Sequence, residues 1–160
     1  MTDRPTTELD GASHRRLGID LFNRVWTLLE LADRTPGQED EMIHAAHASC
    51  HHWSLADERI PANAARGEWQ CSRVYATLGR FEPALHHAER CLEILDDAGA
   101  AGRQDWDLAA AYEALARAWA VVGQIAKARV WAERARAELA TIADPKDREP
   151  IERDLGTLLL

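Results

Sequence analysis

Two stretches of this chain align with each other without a gap. "SRVYATLGRFEPALHHAERCLEI" (72–94) and "ARAWAVVGQIAKARVWAERARAE" (116–138) are offset by 44 residues. Each opens on a small residue (Ser72, Ala116), followed by an aromatic (Tyr75, Trp119), a glycine (Gly79, Gly123), an apolar residue (Phe81, Ile125) and an alanine (Ala84, Ala128). "AER" recurs at 88–90 and 132–134. Such a period constrains the fold more than composition does, because every unit must bury an equivalent face against an equivalent neighbour. The unit is helical. Apolar residues recur at helical spacing, alanine, leucine, glutamate and arginine dominate, and alternating strand-like runs bounded by turn dipeptides are absent. Each glycine falls where one helix ends and the next begins, so a unit reads as a helix pair.

The rest of the chain divides in the same way. A first helix is expected over about His14 to Asp33. A second is capped by Thr35, with Pro36 at its first position and Gln38 as a capping-box partner, and runs to about Ala56. Pro61 breaks the chain before a third helix, about Ala64 to Leu78. The fourth is expected over Phe81 to Ala98. A flexible "GAAG" link (99–102) leads to the fifth, Trp106 to Val122, and the sixth runs to about Ala143. A last helix over 147–160 carries Ile151, Leu155 and Leu158 at amphipathic spacing. The fold class expected is all-α: about three antiparallel helix pairs and a C-terminal capping helix, in one domain over 1–160, with 1–13 as a flexible tail.

The pattern of small, aromatic, glycine, aromatic and alanine positions over 65–95, and again over 109–139, resembles the tetratricopeptide repeat. That resemblance implies a helical array whose first helices line a concave face and whose last helix caps the stack. The period departs from it, being 44 residues where the family's usual spacing is 34, with the extra residues in the link 96–107. The "HAAHAS" stretch also resembles one carried by small bacterial proteins of this type, a resemblance that implies no activity.

Charge narrows the partners. There are 27 acidic and 19 basic residues, a formal net charge of −8, which argues against nucleic acid and against an anionic membrane surface. Cys50, Cys71 and Cys91 are an odd set without paired spacing, and the N-terminus has no apolar leader segment. Both features point to reduced thiols and a cytoplasmic setting. Cys50 and Cys91 read as core residues.

The densest chemistry lies in "HAAHASCHHW" (44–53), which holds four of the seven histidines. At about 100° per residue, His44, His47 and His51 share one face of a helix and His52 does not. Seven residues span roughly 10 Å of axis, so one ion cannot take both His44 and His51. A further ligand must come from another helix, and the donor expected is His86 or His87, with His47 and His86 at comparable depth. Such a cluster suits zinc or non-haem iron. The competing readings are a solvated histidine stripe, and a catalytic or pH-responsive role without metal; an oligomer is a further expectation on partners.

A second constellation lies on the first helices of the pairs. Arg66, Trp69 and Arg73 form one stripe, and Glu113 and Arg117 lie on the equivalent stripe of the fifth helix. Arginines flanking a tryptophan suit the carboxylate of a protein segment or a small acidic ligand. The alternative is ion pairing between helices, Arg73 with Glu113. An intracellular binding module is therefore the leading expectation, and a small histidine-cluster metal protein the alternative.

Overall fold

The computed structural model describes residues 8–160, and among these the chain is helical with no strands. Seven helices follow one another: α1 (Gly11–Leu29), α2 (Pro36–Ser54), α3 (Pro61–Thr77), α4 (Phe81–Ala98), α5 (Asp107–Val121), α6 (Ile125–Leu139) and α7 (Pro145–Gly156). A single 3-10 turn, Ala100–Gly102, lies in the link before α5. The residues 1–7 of the expected tail lie outside the described residues. The tail's remainder is shorter than expected, because Asp10 caps α1 by accepting from the Ser13 amide and the helix starts at Gly11.

The caps explain the other boundaries. Thr35 and Gln38 form the reciprocal capping box at the start of α2, beside Pro36. The turns closing α3 and α5 are built alike. Gly79 and Gly123 have φ of 70° and 69°, a left-handed conformation that glycine adopts without steric cost. The Arg80 amide then reaches the Tyr75 carbonyl, and the Gln124 amide the Trp119 carbonyl, at 2.9 and 3.1 Å. The sixth helix ends at Leu139, four residues before the sequence suggests, and Asp144 caps α7. α7 stops at Gly156, short of the expected 160.

Consecutive helices pack as hairpins: α1 on α2, α3 on α4, α5 on α6. Each hairpin packs on the next through α2 against α3 and α4 against α5, while α1, α3, α5 and α7 also touch in succession. The positions aligned at the 44-residue offset bury alike. Ser72 and Ala116, Ala84 and Ala128, Ala88 and Ala132 are all at 1% exposure or less, so helices approach closely along both seams. The Ser72 hydroxyl meets the buried seam by donating to the Ala84 carbonyl, 2.8 Å away. Ser49 does the same for α1 and α2 by donating to the Gly18 carbonyl. Larger side chains fill the spaces between hairpins: Val25, Leu28, Met42 and Val74 at one end, Leu139, Ile151 and Leu155 at the other.

Candidate functional site

The seam where α2, α3 and α4 meet collects the titratable groups. Ala84 and Ala88 face the core of α4, which places His87 at the edge of the buried stripe and turns His86 to solvent. From α2, His47 leans over the same edge. The two rings lie 5.3 Å apart between centroids. From α3, Cys71 comes up beneath them at 1% exposure. One ligand atom from each of His47, Cys71 and His87 lies within 4.8 Å of the other two.

Neighbouring groups hold this trio in place. The Glu68 carboxylate lies 2.6 Å from Nδ1 of His87, which fixes the ring and leaves Nε2 as its free nitrogen. Tyr75 stacks on His87 with an interplanar angle of 4° and a centroid distance of 5.6 Å. Its hydroxyl sits 2.9 Å from Nε2 of His47. Glu68, Cys71 and Tyr75 are spaced three and four residues apart, so they rise from one face of α3. Cys50 stands behind the trio on α2, its Sγ 3.7 Å from Sγ of Cys71.

Electrostatics favour ligand-ready histidine. His47 is open to solvent on one side, but packing against its neighbours desolvates the ring and lowers its pKa. The charges of His87 and His44 act in the same direction, and Glu68 opposes them. Its neutral form, the form able to ligate a metal, therefore prevails at neutral pH. The Cys71 thiol is pushed strongly upward by its contact with Cys50 and by burial, so without a cation it is a thiol.

The expected histidines thus separate. His47 and His87 meet; His86, expected to face His47, does not, because it is one residue off the buried stripe of α4. His44 is exposed and acts on His47 only through its charge. His51 is exposed and lies beside His52, 5.7 Å between rings. His52 points to α1, where its Nδ1 is 2.8 Å from Nδ1 of His14. Cys71, Glu68 and Tyr75 are members of the site that the histidine pattern alone does not reveal. Cys50, read as a core residue, is half-buried and part of the same neighbourhood.

The groove residues have partners within the chain. Arg66 donates from Nε and Nη2 to the two carboxylate oxygens of Asp107, at 2.9 and 3.1 Å, and its cation lies 4.4 Å from the Trp106 ring centre. Arg73 donates to Glu113 and to Asp154 of α7. Arg117 donates to Glu113 and to the Asp154 carbonyl. Burial alone would lower the pKa of Arg73, but Glu113 and Asp154 outweigh it and keep the cation charged. Glu113 is 1% exposed and so is a buried counter-ion, not a wall of an open groove. Trp69 packs between Trp26 and Trp106, with ring centres 5.2 and 6.4 Å away.

Comparison with protein-family models, with curated proteins and with solved structures finds no match to this chain. No described helix is long and apolar enough to cross a membrane.

Proposed function

We propose that this chain is a tetratricopeptide-like helical-repeat protein that binds one zinc-class divalent ion through His47, Cys71 and His87. The convergence of these three donors from three separate helices carries the reading. Zinc bonds of about 2.0–2.3 Å set ligand atoms roughly 3.3–3.8 Å apart, so the trio needs to contract by up to about 1.5 Å on binding, with His47 giving up its contact to the Tyr75 hydroxyl if it ligates through Nε2. The carboxylate on His87 Nδ1 is the supporting contact that metal-ligating histidines use to fix the tautomer and raise basicity. Two imidazoles and a thiolate are a soft-to-borderline set, which favours zinc over non-haem iron with its carboxylate ligand.

A bound zinc would supply Lewis-acid chemistry to a water, as open zinc sites do. His47, Cys71 and His87 would hold it, with Glu68 fixing the His87 ring, and the Cys71 proton would pass to solvent as the thiolate forms. Recognition of an acidic segment by Arg66, Arg73 and Arg117 ranks below this reading, because such a ligand competes with Asp107, Glu113 and Asp154.

Zinc and cobalt(II) titrations of untagged, full-length protein test the proposal. One equivalent should bind, cobalt should show thiolate-to-metal charge transfer, and both signals should be lost in His87→Ala but kept in His86→Ala. Absence of stoichiometric binding, or equal binding by His87→Ala, overturns it.

A further inference from the structure

Cys50 is not needed by the trio, and its position has a different consequence. It projects from α2 toward α3, and the residue it meets there is Gly67. A Cβ at Gly67 would come within 2.8 Å of Cys50 Sγ. Glycine is an unfavourable residue in a helix interior. Here it clears the space that lets the sulfur lie against α3, 3.7 Å from Cys71 Sγ. Cys50 is half-buried and within reach of small solutes, whereas Cys71 is enclosed. Cys91, the remaining thiol, lies in a separate cluster with Ala65, Leu95 and Ala111.

We propose that Cys50 and Cys71 are an oxidisable pair that forms a disulfide between α2 and α3. The sulfurs must close by about 1.7 Å to reach the bond length of roughly 2.05 Å. With a peroxide as oxidant, the Cys50 thiol gives its sulfenic acid and water. The Cys71 sulfur then attacks the Cys50 sulfur, the S–O bond breaks, and the hydroxide leaves as a second water with the Cys71 proton. Two thiols are oxidised and one peroxide is reduced. The bond does not require a bound ion, but it consumes a sulfur of the proposed metal trio. Oxidation and metal binding therefore exclude each other at Cys71.

The test is hydrogen peroxide treatment of the metal-free, full-length protein, followed by alkylation and tryptic mapping. Cleavage at arginine separates the three cysteines into the peptides 35–59, 67–73 and 91–103. The expected product links 35–59 to 67–73, loses two hydrogens, leaves Cys91 alkylated, and reverts with dithiothreitol. Gly67→Ala, which pushes Cys50 Sγ from its place, should slow the link at least several-fold while the fold, read by circular dichroism, persists. Sulfinic acid at Cys50 without the link, a link through Cys91, or covalent dimers each overturn the proposal. Zinc-loaded protein should cross-link more slowly. Equal rates with and without zinc would overturn the sharing of Cys71 with a metal and leave the cross-link standing.

Discussion

A carboxylate oxygen of Glu68 lies 2.6 Å from Nδ1 of His87, inside a seam where that ring also stacks on Tyr75. The contact is a support for the ring's other nitrogen. Glu68→Gln should preserve the helical fold and weaken zinc binding by about 10–100-fold, the usual effect of losing such a partner. Isothermal titration measures it. Unchanged affinity would show that Glu68 merely solvates the histidine.

Asp154, Glu113, Arg73 and Arg117 form a second connected group. Glu113 is almost fully enclosed and faces two guanidiniums. Removing it leaves two cations without their shared counter-ion, so Glu113→Ala should cost about 3–5 kcal/mol in urea unfolding. Asp154 is more exposed, and Asp154→Ala should cost clearly less. Equal costs would contradict this order.

Gly79 and Gly123 give a control for the repeat itself. A Cβ at either would touch nothing within 4 Å, so only the left-handed backbone opposes alanine. Gly79→Ala and Gly123→Ala should each destabilise by about 1–2 kcal/mol, and by similar amounts. Unequal losses in thermal or urea melts would mean that the two turns are not equivalent.

The histidines make stability depend on pH. His52 has its pKa lowered by desolvation and by the charges of His14 and His51, and His47 is lowered likewise. A depressed histidine favours the neutral form in the fold. Stability is therefore full above the ordinary histidine pKa of about 6.5 and falls as pH drops toward the folded-state value. The His14–His52 contact adds to this, since two ring nitrogens at 2.8 Å need one proton between them and one neutral ring. Thermal melts from pH 7.5 to 5 should show a falling Tm, and His52→Gln should flatten the curve. A Tm that rises or stays level on acidification would refute the assignment.

Helix number, hairpin pairing and turn glycines were readable because each rests on local chemistry: Pro36, the Thr35–Gln38 box, and the glycines at 79 and 123. The side of α4 that carries His87 was also readable in principle. Position 87 repeats as Trp131, and position 68 as Tyr112. Tyr112 and Trp131 stack at 5.7 Å, so the fold sets these two positions side by side in both units. In the first unit the pair is Glu68 and His87, and the gapless alignment does not expose it because the aligned segment starts after residue 68. Cys71 was less accessible, since its repeat partner, Leu115, is an ordinary core residue. The ion pairs of Arg66 and Arg73 required knowing how α5 and α7 lie across α3, which no local signal encodes.

The bond from Arg73 to Asp154 joins residues 81 positions apart and reaches from the second hairpin to the last helix. A stack whose units touch only their neighbours can fray from its end, one unit at a time. Here the end is moored to the middle, past the hairpin between them. Peeling α7 away strips Arg73 of a counter-ion inside the α3–α5 seam, so loss of the terminus propagates inward as a loss of the centre. The described helices should consequently melt as one cooperative body, with hydrogen exchange in α5 and α7 governed by the same opening event.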